Sequence, residues 1–301
     1  MLASQQTSAL VSISGGFNSH QGRALPWEPD AHDRILIIAP HPDDEVLAAG
    51  GVIATASKLL NPVNIRVVVA TNGDASYVTA FFHGSHLPTR KNFRRQALLR
   101  QQESLNALAC LGMGAEQISF WGFPDRGLAS LWQHHLKNKQ PYYSATTGYR
   151  KSAQALNSPI LPFFGASLLA LLERELFEFQ PTIVIMPHPH DNHLDHRALA
   201  EFTILAAVNN RAQAAPPHPM YFAYWMWRQT TFPGGACLHA RWPVHKDILT
   251  TDTRSLALTT GVRMQKLRAI RCYSSQKIAA GKLLLAAARS NSEVFTLLRP
   301  A

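Results

Sequence analysis

The sequence predicts a single α/β domain built on a doubly wound, mostly parallel sheet. Short aliphatic runs without polar alternation recur along the 301 residues, and segments long enough for helices separate them. Unalternated runs are typical of strands that helices cover on both faces, and alternating strands and helices produce right-handed crossovers. Two of the runs lead directly into clusters of ionisable residues, at the strand ends where open α/β sheets bind ligands.

The first predicted strand is Ile35–Ala39, a continuous aliphatic run. Residues 1–33 are polar and punctuated by Gly and Pro, so we predict an N-terminal arm there and a domain over 34–301. After the strand, an Ala/Gly/Val/Leu segment is expected to form a helix ending near Leu60. Four ionisable residues lie between this strand and its helix: His41, Asp43, Asp44 and Glu45.

The second strand is predicted at Asn64–Ala70, closed by the turn signal Thr71–Asp74. The loop that follows carries His83 and His86, which either approach the site or are solvated. Asn92–Leu111 then has the apolar spacing of an amphipathic helix that stops at Gly112.

Ile118–Trp121 is predicted as a short third strand, and the composition then becomes irregular and Tyr-rich over about 126–162. We interpret that stretch as an excursion or lid outside the core. A helix is expected at Ala166–Phe179, followed by a fourth strand, Thr182–Met186, which runs into the second ionisable cluster.

A helix at Arg197–Asn209, a fifth strand at Met220–Trp225 and a helix from about Leu256 to Ile270 complete the pattern. In the usual strand order 3-2-1-4-5, the first and fourth strands are neighbours at the point where the winding reverses. The two clusters, about 150 residues apart, are therefore expected to meet in one crevice.

The clusters have the chemistry of a catalytic metal site. Imidazoles and carboxylates on tight turns can converge on one cation, and zinc is the first expectation because a catalytic zinc takes three protein ligands and leaves one position for water. The first cluster can supply two ligands and the second one. The second cluster offers several candidates, and the residues alone leave open which of them ligate: His188, His190, His193, Asp195 and His196.

The two clusters, in this order, resemble a known family. His41-Pro-Asp-Asp-Glu45 with the Gly50-Gly51 pair, together with His193-x-Asp-His196, is similar to the motifs of the PIG-L or LmbE-like zinc-dependent N-acetylglucosaminyl deacetylases. Weaker similarities extend the resemblance over about Arg34–Gln276, at Thr71–Asp74, Arg100-x-x-Glu103, Gly122–Asp125 and Lys266–Gln276.

The resemblance implies a role for each matched residue. Zinc, with Fe²⁺ as the alternative metal, would be bound by His41, Asp44 and His196. Asp43 would be the general base, and His193, oriented by Asp195, would assist the oxyanion or the leaving amine.

Arg100 has two interpretations. The resemblance implies that it binds the substrate, whereas its position on an amphipathic helix favours a solvent-facing arginine paired with Glu103.

The implied reaction is hydrolysis of the acetamide of an N-acetylglucosamine-containing conjugate by zinc-activated water. The chain carries 29 Lys and Arg against 19 Asp and Glu, a net charge of +10. If Arg100 and Lys266 line the mouth of the crevice, they would favour an anionic conjugate.

Two other classes of function are the alternatives. A non-haem Fe(II) oxygenase uses the same set of two histidines and one carboxylate. A basic nucleic-acid-binding module would use the positive charge, but no motif for one is present and no nucleic-acid partner is expected.

Cysteine usage and hydropathy favour a cytoplasmic protein. Cys110, Cys237 and Cys272 are far apart and form no C-x-x-C pair, which argues against a disulfide framework and a thiolate metal site. The N-terminus lacks the basic region of a signal peptide. Since no run of about 18 apolar residues occurs, no membrane-spanning helix is expected.

Overall fold

The structure is a computed structural model in which residues 24–59, 61, 64–82, 88–136, 139–211, 219–224, 226 and 248–300 are described. The described strands are β1 (Leu25–Pro26), β2 (Ile35–Ala39), β3 (Ile65–Thr71), β4 (Ile118–Phe123), β5 (Ile183–Pro187), β6 (Met220–Tyr224), β7 (Ile248–Ala257) and β8 (Ser292–Pro300). The described helices are α1 (Asp44–Leu59), α2 (Tyr77–Phe82), α3 (Arg90–Cys110), α4 (Leu128–His134), α5 (Gly165–Phe179), α6 (Leu194–Arg211), α7 (Thr260–Arg271) and α8 (Lys277–Arg289).

These strands form one sheet in the order β1-β7-β8-β6-β5-β2-β3-β4, which confirms the predicted fold class. The five strands predicted from the sequence have the expected order, and β2 pairs in parallel with both β3 and β5. Only β8 runs antiparallel to its neighbours among the described strands. The sheet is therefore mostly parallel, with its reversal point at β2 and β5.

Strand β2 lies in the middle of two hydrophobic layers. Ile35 and Ile37 pack on one face of the sheet, whereas Leu36 and Ile38 pack on the other, and all four are fully buried. This burial on both faces explains why the run has no polar alternation.

Two predicted boundaries were wrong. The helix expected from Leu256 begins only at Thr260, because β7 continues to Ala257 and Thr259 caps the helix by accepting a hydrogen bond from the amide of Val262 at 3.3 Å. The expected excursion at 126–162 opens with helix α4, whose Leu128 and Leu131 are fully buried in the core.

The rest of that segment remains attached to the sheet. Leu156 exchanges two backbone hydrogen bonds with Phe120 of β4, at 2.8 and 2.9 Å. In the expected N-terminal arm, Leu25–Pro26 pairs with β7 at the edge of the sheet. Several residues of interest lie outside the described residues: positions 1–23, His83, His86, Trp225 and Cys237.

Helix α1 is interrupted one turn after the first motif. Ala49 has non-helical dihedral angles (φ −130°, ψ 16°), which free the backbone amides of the following turn. The carboxylate of Glu293 accepts from the amides of Gly51 and Val52 at 2.6 and 2.9 Å. A Cβ on Gly51 would lie 2.3 Å from Cδ2 of Leu258, so a larger residue here would have to displace that side chain.

Lys266 completes the set of hydrogen bonds that bridge this break in α1. Its Nζ donates to the carbonyl of Leu47 at 2.9 Å and to Glu293 Oε1 at 2.6 Å. Both charged side chains are almost completely buried. The expectation that Lys266 lines the mouth of the crevice is therefore wrong, because its amine is committed to the support of α1.

Two of the three cysteines lie in the part of the chain that the structure describes. Cys110 and Cys272 are free thiols, although α3 and α7 bring their sulfurs to 3.9 Å from each other. Within the described residues, none of the helices is long and apolar enough to cross a membrane.

Candidate active site

The two ionisable clusters meet where β2 and β5 end. These strands pair in parallel with Ile35 opposite Ile183, so the turn after β2 and the segment that opens α6 leave the sheet side by side. The rings of His41 and His196 lie with their centroids 5.4 Å apart, and His193 lies 4.8 Å from His41 and 5.0 Å from His196.

Asp44 lies between His41 and His196. Its Oδ2 atom is 3.0 Å from Nδ1 of His41 and 3.1 Å from Nε2 of His196. All three side chains are at least nine-tenths buried. The structure therefore brings together the three residues expected to bind zinc.

Each imidazole has a further carboxylate on its other nitrogen. Nε2 of His41 is 3.3 Å from both Asp125 Oδ1 and Asp195 Oδ2. Nδ1 of His196 is 3.6 Å from Asp191 Oδ2. Carboxylates in this position fix the ring orientation of metal-ligating histidines, so the inner nitrogens are the ones that face the candidate site.

These residues fit a zinc ion. Both ring nitrogens of His196 are buried and, among the described residues, have no hydrogen-bond partner of good geometry. Such atoms are rare in folded proteins. A cation between His196 and Asp44 would satisfy Nε2, and two imidazoles with one carboxylate leave a position open for water.

Among the described residues, two groups of three side chains, neither of which includes Asp44, bring their ligand atoms within 4.8 Å of one another. One is His41, His193 and His196, and the other is His41, Asp125 and Asp195. We favour Asp44 over His193 as the third ligand because a single oxygen of Asp44 contacts both imidazoles.

The charges of this cluster are strongly coupled. Burial alone would lower the pKa of His196, but the carboxylates of Asp44 and Asp191 outweigh it and raise the pKa to about 9. Burial is likewise outweighed at His41, whose pKa its carboxylate partners raise well above the usual value. Burial would raise the pKa of Asp44, but the imidazoles of His196 and His41 hold it well below its usual range. A divalent cation can displace the protons of two imidazoles that share an ionised carboxylate, and it then binds the same three side chains.

Asp43 has a different environment from Asp44. Burial raises its pKa to about 7, against the opposing charge of Arg100, whose Nη2 is 3.2 Å from Asp43 Oδ2. Its φ of 127° turns this side chain away from the geometry of an ordinary helix start. The residue is thus next to a candidate ligand and has the proton affinity of a general base that works near neutral pH.

The comparisons with known proteins agree with this geometry. Residues 36–207, more than half of the chain, match the family described as PIG-L: GlcNAc-PI de-N-acetylase. The chain belongs to the PIG-L family. A search of curated proteins found no match.

Solved structures of deacetylases share the fold of this PIG-L protein. The A40926 pseudoaglycone deacetylase Dbv21 is 20% identical, with a TM-score of 0.56 over 89% of this chain and 98% of that one. The zinc-inhibited form of teicoplanin deacetylase Orf2 is 17% identical, with a TM-score of 0.57 over 89% and 98%. N,N'-diacetylchitobiose deacetylase from Pyrococcus horikoshii is 19% identical, with a TM-score of 0.51 over 89% and 85%.

Arg100 does not form the surface pair that its helix position suggested. It is buried, and its guanidinium donates to the carbonyls of Gly73 at 2.9 Å and Pro42 at 2.5 Å besides contacting Asp43. Glu103 instead accepts hydrogen bonds from Ser274 and Ser275. The expectation of an Arg100 and Glu103 pair is therefore wrong.

Gly73 makes room for this arginine. Its φ is +60°, and a Cβ there would lie 1.9 Å from Nη1 of Arg100. The Thr-Asn-Gly-Asp segment after β3 is thus a turn that also binds the guanidinium of Arg100.

His193 and Asp195 interact through the backbone. The amide of Asp195 donates to Nδ1 of His193 at 3.2 Å, so the neutral ring carries its proton on Nε2. The carboxylate of Asp195 accepts from the amides of Arg126 at 2.6 Å and Leu128 at 3.1 Å and reaches His41. Asp195 was expected to orient His193, and its backbone amide is the group that contacts this ring.

Three acidic residues of the site had no role in the sequence analysis: Asp74, Asp125 and Asp191. Asp125 follows β4, contacts His41 and accepts from the amide of Ala75 at 2.7 Å. Asp191 follows β5 and accepts from the amide of His193 at 2.9 Å. Asp74 follows β3, and burial, then Asp125, raises its pKa to about 8. The signal that could have found them is their position after a buried strand.

Histidines 188 and 190 have backbone contacts in the structure. The amide of His188 donates to the carbonyl of Tyr224 at 2.8 Å, and Nδ1 of His188 accepts from the amide of His190 at 3.1 Å. These contacts shape the turn between β5 and α6.

Proposed function

We propose that this protein is a zinc-dependent hydrolase that removes the acetyl group from an N-acetylglucosamine-containing conjugate. The observation that carries the proposal is the position of Asp44, 3.0 and 3.1 Å from the inner nitrogens of His41 and His196, with Asp43 beside it. Membership of the PIG-L family and the shared fold with deacetylases support the same reaction.

His41, Asp44 and His196 would hold the zinc ion. When bound, this ion would lower the pKa of a water molecule and polarise the acetyl carbonyl. Asp43 and His193 have the remaining roles, in proton transfer and in binding the oxyanion.

Asp43 is the proposed base. Its carboxylate accepts the proton from the attacking water, and its pKa of about 7 makes the resulting acid able to return that proton to the leaving amine. Arg100 holds this side chain in place from a buried position. In this arrangement Arg100 acts on the base, and a contact between Arg100 and the substrate stays a prediction.

His193 is the proposed donor to the oxyanion. Burial, then the charges of His41 and His196, lowers its pKa to about 4, so the ring is neutral. Since Nδ1 accepts a hydrogen bond from a backbone amide, Nε2 is the ring atom that carries the proton and would donate a hydrogen bond to the developing oxyanion. This tautomer favours Asp43 over His193 as the source of the proton for the amine.

Two measurements test the proposal together. Neutral and anionic N-acetylglucosamine conjugates should be screened for released acetate, with metal content measured after anaerobic purification to separate zinc from Fe²⁺. Alanine at His41, Asp44 or His196 should abolish both metal and acetate release. Full metal content and activity in any one of these variants would show that its ligand assignment is wrong.

A further inference from the structure

We infer that Tyr273 and Glu45 are positioning residues for Asp43. Together with Ser104 they form a buried network that sets the backbone of the proposed base, and all three residues are fully buried. The inference rests on the proposed function in one respect, the role of Asp43 as base. Nothing in the proposed mechanism has so far used these three side chains.

Glu45 contacts the backbone of Asp43 directly. Its Oε2 accepts the hydrogen bond of the Asp43 amide at 2.9 Å. The carbonyl of Asp43 accepts in turn from the amides of Val46 at 3.1 Å and Leu47 at 2.9 Å. Both backbone polar groups of Asp43 are therefore fixed, one of them by a side chain.

Asp43 needs this support because its backbone is strained. A φ of 127° is unfavourable for a residue with a side chain and persists only where surrounding contacts impose it. If the Glu45 carboxylate rotated away, the amide of Asp43 would lose its partner, and the chain could relax toward negative φ. The carboxylate of Asp43 would then move relative to the attacking water.

Tyr273 and Ser104 hold Glu45 in the required rotamer. The Tyr273 hydroxyl donates to Oε1 of Glu45 at 2.6 Å, and the Ser104 hydroxyl donates to the same oxygen. With Oε1 engaged by two donors, Oε2 is left facing the amide of Asp43. The network thus joins the first motif to α3 and to the turn after α7.

The test compares Tyr273→Phe with a matched control, Ser275→Ala. The control removes a similar buried bond from the same turn, in which Ser275 Oγ donates to Glu103 Oε2 at 2.6 Å, but it leaves Glu45 untouched. We expect Tyr273→Phe to lower kcat about ten-fold, because small displacements of a reacting group are costly, with metal content and KM unchanged. Ser275→Ala should retain kcat.

A double variant shows whether the effect passes through Asp43. Once Asp43→Asn has removed the base, adding Tyr273→Phe should cause no further loss of kcat, whereas a general loosening of the site would cause the same ten-fold loss in both backgrounds. Ser104→Ala, which removes the other donor to Glu45 Oε1, should reproduce the loss of kcat and replaces Tyr273→Phe if that variant does not fold.

The results separate this inference from the proposed function. Unchanged kcat in folded Tyr273→Phe or Ser104→Ala, or an equal loss in Ser275→Ala, would overturn the positioning role while an inactive Asp43→Asn still supported the base. An active Asp43→Asn protein would overturn the proposed base itself.

Discussion

Asp43 and Asp44 are adjacent carboxylates with different proton affinities. The imidazoles around Asp44 hold its pKa well below the usual range, whereas burial raises that of Asp43 to about 7. A carboxylate that stays ionised suits a metal ligand, and one that titrates near neutrality suits a base. The difference comes from their partners, since two imidazoles contact Asp44 whereas Arg100 is the cation beside Asp43.

Asp43→Asn should separate metal binding from catalysis. The amide keeps the size of the side chain but cannot take a proton, so kcat should fall by about 10² or more while metal content stays the same. Steady-state kinetics and metal analysis of the same sample check this. Asp252→Asn is the control, because Asp252 is an exposed carboxylate that contacts Arg254, and its kcat should change little. Loss of metal from Asp43→Asn would make Asp43 a ligand instead.

Zinc affinity should rise steeply with pH. In the metal-free protein the pKa of His196 is about 9, so this ring carries a proton at pH 7 that zinc must displace, and the pKa of His41 is raised in the same direction. The affinity should increase about ten-fold or more per pH unit between pH 6 and 8, where His196 is protonated. Chelator competition at several pH values measures this slope, and a flat profile over that range would contradict a protonated His196.

The site was predictable where it depended on strand order and was not where it depended on side-chain direction. The two clusters were expected together because their strands are neighbours, and the family resemblance then selected His41, Asp44 and His196 from them. The pairing of Arg100 with Glu103 was wrong because helix spacing considers one helix alone, whereas Gly73 and Ser275 attract the two side chains to other segments. No spacing rule could show which nitrogen of a histidine an aspartate would face.

At the scale of elements, the break in α1 is the feature that connects the first motif to the C-terminal part of the chain. A helix interrupted at Ala49 exposes the carbonyl of Leu47 and the amides of Gly51 and Val52 inside the core. Lys266 and Glu293 satisfy these groups, one from α7 and one from β8. The Gly50-Gly51 pair was visible in the sequence, but its partners more than 200 residues away were not.

Lys266→Met should destabilise the protein by about 3–5 kcal/mol, since it leaves Glu293 charged and buried without its partner. Urea unfolding followed by tryptophan fluorescence gives the free energy of unfolding. Lys58→Met is the control, because Lys58 is exposed and donates to Gln265 on the surface, and its effect should stay within about 0.5 kcal/mol. The double variant Lys266→Met/Glu293→Gln should recover part of the lost stability. An unchanged free energy of unfolding in Lys266→Met would contradict the role of Lys266 as the partner of Glu293.

Strands were predicted more accurately than the elements around them. β2 was found to the residue because an aliphatic run between a charged residue and a proline has few alternatives. The boundary between β7 and α7 was missed because the apolar residues Leu256 and Leu258 lie directly before the cap at Thr259 and were included in the predicted helix. Helix α4 was missed because its seven residues are too few to show a helical period within an irregular stretch.

At the scale of the whole molecule, the site depends on segments from both ends of the sheet. The family match ends at residue 207, yet Tyr273, Lys266 and Glu293 lie beyond it and support the first motif. β8 pairs with both β6 and β7, so it joins the C-terminal strands to the parallel half of the sheet. The chain is therefore expected to fold as one unit despite its length.

This expectation makes a prediction for a chain that ends at residue 259. Removing α7, α8 and β8 would leave Glu45 without Tyr273, and the broken turn of α1 without Lys266 and Glu293, all in the core. Buried polar groups that lose their partners cost about 1–3 kcal/mol each, and several together exceed a typical stability of about 5–15 kcal/mol once the apolar contacts of the lost elements are included. In the full chain, urea transitions followed by fluorescence and by far-UV ellipticity should coincide in a single step. The shortened chain should show no cooperative transition, whereas a sharp transition in it would mean that the N-terminal part folds alone and that the chain has two domains.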